Sequence, residues 1–88
     1  MKKITMVSIE SCPHCKRALR WMDVLFAENP DYKALEIEQI DELKHPEISD
    51  RYEYDLVPAY YIGEEKLHEG VAGLEEIRRV FDAAMERS

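Results

Sequence analysis

The sequence predicts an α/β domain with the element order β-α-β-α-β-β-α and a mixed four-stranded sheet flanked by helices. Three observations lead there. A nearly continuous apolar run, Ile4 to Ile9, passes directly into a helical pattern beginning at Cys12. A second strand pattern returns soon enough to close a βαβ unit, whose crossover is almost always right-handed. The second half then changes rhythm, with an aromatic strand, a glycine turn and a final amphipathic helix.

Each element has a local reason. Ile4-Thr5-Met6-Val7-Ser8-Ile9 suits a strand covered on both faces, central in a parallel pair. Ser11-Cys12-Pro13 opens a helix, with a capping-type serine and a proline in the first turn, where its missing N–H costs nothing. Cys15, Ala18, Leu19, Met22, Leu25 and Phe26 form its inner face, and Lys16, Arg17, Arg20 and Asp23 its outer one. Asn29-Pro30-Asp31 stops it, and Ala34 to Ile40 alternates as a half-buried edge strand. Pro46 opens a short helix with Ile48 and Tyr52 inward and a Glu47–Arg51 pair at i,i+4. Val57-Pro58 breaks it before the strand Ala59 to Ile62, in which Tyr60 and Tyr61 alternate, one packing inward and the other outward. Gly63-Glu64-Glu65 turns into a strand near Lys66–Glu69. Past Gly70 and Gly73, Leu74, Ile77, Phe81 and Ala84 mark the last helix, with Glu75 and Glu76 in its first turn and Arg87 in its last.

Length and composition set bounds. Eighty-eight residues make a single domain, 1–88, with one modest core. The chain is 45% hydrophobic and 35% charged with three glycines, which excludes disordered and collagen-like classes. No apolar run nears the roughly 20 residues of a membrane span. Lys2 and Lys3 imitate a signal peptide's start, but Glu10 interrupts the apolar stretch too early, so a cytoplasmic protein with an uncleaved N-terminus is expected. Twelve basic against nineteen acidic residues, net −7, argue against nonspecific binding to nucleic acid or anionic membrane.

The two cysteines carry the chemistry. A bridge between Cys12 and Cys15 closes too small a loop to restrain an unfolded chain, so the pair is reactive or metal-binding rather than structural. At a helix mouth, unpaired N–H groups and the positive end of the helix dipole favour the thiolate of the first cysteine. Two intervening residues return the second sulfur to bonding distance, so Cys12 can attack a disulfide and Cys15 can resolve the mixed disulfide.

Cys12-Pro13-His14-Cys15 at the start of the first helix, the later Val57-Pro58 and the order of elements resemble the thioredoxin superfamily. The run Cys12 to Ala18 and the short chain are similar to glutaredoxins in particular. The resemblance implies a thioredoxin-like fold and a thiol–disulfide oxidoreductase with Cys12 and Cys15 catalytic. It also implies a cis proline at Pro58 that packs against the dithiol, and a Val57 backbone that pairs with substrate. The partners implied are a protein or low-molecular-weight disulfide, with a reductase or glutathione as electron donor. The protein is expected to act as a monomer with no tightly bound cofactor and glutathione at most as co-substrate. Where glutaredoxins carry lysine, threonine and Cys/Ser-Asp-Asp to hold glutathione, this chain has Ile9, Leu56 and Val71-Ala72-Gly73. The buried aspartate of thioredoxins is also missing.

Pro13-His14 matches the dipeptide of strongly oxidising periplasmic disulfide donors, which makes both residues candidates for redox tuning. An imidazole near Cys12 stabilises its thiolate, whereas Glu10 opposes it; an exposed His14 with little influence is the competing reading. The rival function is a thioredoxin-fold module that carries metal on Cys12 and Cys15 without redox turnover. His14, His45 and His68 form no zinc pattern with the pair, so no metal site is expected. Trp21 falls in the helical core pattern. Tyr54 either flanks the dithiol or covers the second helix. Lys16 and Arg17 are a solvated face that can also meet an anionic substrate.

Overall fold

Five-residue β1 (Ile4–Ser8) runs up the middle of the sheet in the computed structural model, which describes residues 2–87. Met1 and Ser88 of the expected 1–88 domain lie outside the described residues. The chain continues through α1 (Pro13–Glu28), a 3-10 turn (Pro30–Ala34), β2 (Ile37–Asp41), α2 (Pro46–Ser49), β3 (Ala59–Ile62), β4 (Glu65–Glu69) and α3 (Leu74–Glu86). The strand order is β2-β1-β3-β4. β1 runs parallel to β2 from Ile4↔Ile37 to Ser8↔Asp41 and antiparallel to β3 from Ile4↔Ile62 to Val7↔Ala59. The mixed four-stranded α/β sheet is as the pattern predicts.

Alternation along β1 and β3 divides the interior in two. Ile4, Met6, Tyr60 and Ile62 meet α1 and α3 through Ala18, Met22, Leu25, Ile77, Val80 and Phe81. Phe81 sits between two aromatic rings, 5.4 Å from Phe26 and 5.3 Å from Tyr32. On the other face Val7, Ala59 and Tyr61 pack under Tyr52 and Tyr54. Tyr60 and Tyr61 are therefore both buried, against the expected inward and outward pair. The irregular segment after α2 covers the second face, and the Tyr61 hydroxyl donates to the Glu53 carbonyl at 2.5 Å.

Other boundaries differ for local reasons. The stretch from Pro30 coils instead of extending, because the Asn29 side chain accepts the Asp31 N–H at 3.1 Å and winds the chain into the 3-10 turn. The edge strand therefore begins at Ile37 rather than Ala34. α2 ends at Ser49, short of Arg51, and Glu47 lies 3.6 Å from His45 instead. The hairpin turn is Gly63-Glu64 alone, with Gly63 at φ +62 and Glu65 already paired to Ile62. Arg87 stands just past α3 and pairs with Glu65 at 2.8 Å.

Gly70 has both reasons to be glycine. Its φ is +86, and a Cβ there would meet Leu56 Cδ1 at 3.1 Å. Gly70→Ala is expected to lower unfolding free energy by about 1–2 kcal/mol, the cost of left-handed backbone for a residue with a Cβ. Urea denaturation measures it.

Candidate active site

The sheet places the dithiol by ending β1 where it does. From Ser8 the chain crosses a tight turn closed by the Cys12 N–H donating to the Ile9 carbonyl at 3.0 Å. α1 then starts at Pro13, so Cys12 itself, not Ser11, is the N-cap. The proline-at-N1 preference contained that boundary, since the residue before such a proline is the cap. Three residues on, Cys15 falls on the inner face of α1 and is only 2% exposed, whereas Cys12 is half-buried.

These positions give the two sulfurs opposite chemistry. The Cys15 N–H is the strongest influence on Cys12. Against the opposing cost of desolvation, the His14 N–H and the Cys15 thiol also favour the anion, and together they hold the Cys12 pKa below its ordinary value. Burial pushes Cys15 up to about 11, and the negative charge of a Cys12 thiolate and of Asp41 acts in the same direction. The Ile9 N–H, directed at Cys15 Sγ from 3.5 Å, opposes this only in part. One thiol is thus the accessible one whose anion is favoured, and the other a protonated donor beside it.

His14 is exposed and reaches Cys12 through its backbone N–H. Any side chain except proline supplies that N–H. His14→Tyr is therefore expected to move the redox potential by less than ~30 mV, the equivalent of one pKa unit in a two-electron couple. Equilibration of both proteins against a glutathione buffer measures the shift. Pro13 fills the first helical position. The Glu10 carboxylate turns to Lys44 Nζ at 2.6 Å, so its charge is paired.

Val57 and Pro58 reach the same end of the sheet as the cysteines. Pairing of Val7 with Ala59 sets the start of β3 beside the end of β1, from which the Cys12 turn departs. The Val57-Pro58 bond is cis, as the family resemblance implied. Pro58 is buried and its carbonyl accepts the Gly70 N–H at 3.0 Å, while Val57 is half-buried. Leu56 and Val71, each 59% exposed, flank this corner.

The remaining candidates separate from the dithiol. Tyr54 lies over Val7 and Tyr61 with its hydroxyl on Glu42, a cover for the sheet face rather than a flank of the cysteines. His68 Nε2 is 2.9 Å from the Val71 carbonyl oxygen, and His45 lies beside Glu47. Among the described residues no group of three or more His, Cys, Asp or Glu side chains is gathered to hold a metal ion. No helix is long and apolar enough to cross a membrane among the described residues.

One residue near the dithiol escaped the sequence reading. Asp41, the last residue of β2, accepts the Leu43 and Lys44 N–H groups on Oδ1 at 2.8 and 3.2 Å and the Glu10 N–H on Oδ2 at 2.9 Å. An aspartate ending a strand two residues before a turn is a recognisable Asx-turn signal. Its bond to Glu10 exists only in the folded sheet.

No family model and no curated protein matches this chain. Solved structures do. The oxidised thioredoxin of Plasmodium falciparum superposes with a TM-score of 0.67 at 14% identity, covering 93% of this chain and 81% of that one. Thioredoxin 1 of Thermosipho africanus TCF52B gives 0.59 at 18% identity, covering 96% and 99%. Trxlp of Edwardsiella tarda EIB202 gives 0.56 at 17% identity, covering 94% and 82%. At these identities the likeness is one of fold. The chain has a thioredoxin-like fold, and it carries a CxxC pair at the mouth of its first helix.

Proposed function

We propose that this protein is a thiol–disulfide oxidoreductase in which Cys12 is the nucleophile and Cys15 the resolving thiol. The observation that carries the reading is the unequal state of the two sulfurs: a half-exposed, anion-favouring Cys12 and a buried Cys15 whose pKa is raised to about 11. A pair that bound metal would use two thiolates, and burial keeps Cys15 protonated against the opposing Ile9 N–H.

The cycle follows from that asymmetry. The Cys12 thiolate attacks one sulfur of a substrate disulfide, forms a mixed disulfide and expels the other sulfur as a thiolate, which takes a proton from water. Cys15 gives up its proton and attacks the Cys12 sulfur. The Cys12–Cys15 disulfide forms and the second substrate thiol leaves. Two electrons have passed from the protein to the substrate, and a reductant must return them. Val57 and Pro58 form the docking corner for a disulfide-containing protein or a low-molecular-weight disulfide, with exposed Leu56 and Val71 adding apolar contact. Glutathione serves as co-substrate or a reductase serves as donor, no cofactor is held tightly, and a monomer in the reducing cytoplasm suffices.

The test is to supply reduced protein with a disulfide substrate and either glutathione plus glutathione reductase or a thioredoxin reductase, and to follow NADPH oxidation. Turnover with one system supports the reading and identifies the donor class. Absence of turnover with both, together with no stoichiometric exchange from the pre-reduced dithiol, refutes it.

A further inference from the structure

An open cleft of about 470 Å³ beside Cys15 is lined by Ser8, Ile9, Cys15, Lys16, Asp41 and His45. The resolving thiol is buried but its residue forms part of this wall. Asp41 is the most firmly held polar group on its wall, fixed by the amides of Glu10, Leu43 and Lys44. The Glu10 bond is the one of consequence, because Glu10 lies in the turn between β1 and Cys12. Lys44 closes a second tie across the same gap through its 2.6 Å contact with the Glu10 carboxylate.

We propose that Asp41 is a positioning residue for the dithiol: it ties the Cys12 turn to β2 and sets a fixed negative charge beside the buried resolving cysteine. This deepens the oxidoreductase reading and rests on it. A carboxylate that accepts three N–H bonds stays ionised, since protonation would cost it acceptor capacity. Against the opposing cost of desolvation, the Leu43, Glu10 and Lys44 amides, with the Lys44 ammonium, keep the Asp41 carboxyl below its usual range. Cys15 therefore meets a permanent anion. Burial is the main reason its proton stays on, and the Asp41 charge adds to it, so the thiol remains a hydrogen-bond donor to Cys12 until the mixed disulfide forms.

The other groups facing Cys15 do not replace this role. Cys12 is charged only before substrate attack. Tyr60 of β3 is buried, with its hydroxyl on Met22 Sδ at 3.4 Å, and burial drives its pKa upward, so it stays neutral. Glu10 and Lys44 neutralise each other. Lys16 on α1 and His45 are the other basic side chains on the same wall, and both are exposed.

The experiment uses Cys12→Ser protein, which places a favoured N-cap residue at the helix start, so that Cys15 is the only thiol. Its alkylation by iodoacetamide is followed against pH, alone and with Asp41→Asn or Lys44→Met added. Asp41→Asn is expected to move the midpoint down and to raise the rate at a fixed pH below it by ~3-fold, the change that half a pKa unit makes. Lys44→Met is an exposed substitution that unmasks Glu10 and Asp41, and it is expected to move the midpoint up. A role limited to holding the turn would raise the plateau rate by exposing Cys15 and leave both midpoints where they were; that result overturns the proposal. If Asp41→Asn does not fold, the Lys44→Met arm decides alone, and an unchanged or lowered midpoint overturns it. Failure of the oxidoreductase reading looks different: the two-cysteine parent exchanges no disulfide, although the midpoints move as expected.

Discussion

Cys12→Ser is expected to bring disulfide exchange down to the uncatalysed rate, while Cys15→Ser traps the substrate on Cys12 as a mixed disulfide. The difference follows from placement. Cys12 stands at the helix mouth with the Cys15 and His14 N–H groups favouring its anion, whereas Cys15 is 2% exposed. Without Cys12 the buried thiol has neither the charge nor the access to start the reaction. Without Cys15 the first step proceeds and the second cannot. Mass spectrometry of each variant after exposure to a disulfide substrate reads both outcomes, a stable adduct on Cys15→Ser and none on Cys12→Ser. Faster alkylation of Cys15 than of Cys12 in the reduced wild type would reverse the assignment.

The second large effect is alkaline loss of stability in the reduced protein. The unfolded chain ionises Cys15 near the 9.0 of an unperturbed thiol, whereas the folded chain holds the proton until about pH 11. Between those values the folded state binds more protons than the unfolded one, so unfolding free energy falls as pH rises. Cys12 has the opposite sign. Its lowered folded pKa makes stability rise with pH up to its ordinary value and contributes no further change above it. From pH 9 to 11 the reduced protein is therefore expected to lose on the order of 1–2 kcal/mol more than Cys15→Ser does. The tyrosines, Tyr54 at about 12 among them, are present in both proteins and cancel in the comparison. Parallel loss in the two proteins would mean that the Cys15 thiol ionises as readily in the fold as outside it.

Most of the frame was legible because it rests on short-range pattern. Continuous apolarity marked β1, helical spacing marked α1 and α3, and Cys12-Pro13-His14-Cys15 at the strand-to-helix junction marked the dithiol. What escaped depends on distant segments meeting. Alternation leaves one of Tyr60 and Tyr61 facing outward, until Tyr52 and Tyr54, from an aperiodic stretch, close over Tyr61 with ring centroids of Tyr52 and Tyr61 4.8 Å apart. Asp41 gives no sign of a place beside the dithiol until the parallel pairing of β1 with β2 brings Glu10 to it. The 3-10 turn was lost for a nearer reason. Leu35 and Ile37 alternate with acidic residues in a pattern that runs back over Ala34, whereas the Asn29-Pro30 cap commits Ala34 to coiling.

The position of β1 also governs how the chain can be assembled. β1 precedes every other strand, yet it is an interior strand with a neighbour on each side, and the second of these, Ala59–Ile62, lies more than fifty residues downstream. A nascent chain or a proteolytic fragment that stops before Ala59 can form the β1–α1–β2 crossover but leaves one whole edge of β1 bare. That edge belongs to residues that are fully buried in the finished fold, Ile4, Met6 and Val7 among them. Unpaired apolar strand edges add to other strands. Long-range closure of this kind is also slow compared with helix formation. The first half of this protein is thus no independent folding unit: it becomes safe from self-association only when β3 arrives, in the same event that carries Val57 and Pro58 to the cysteines.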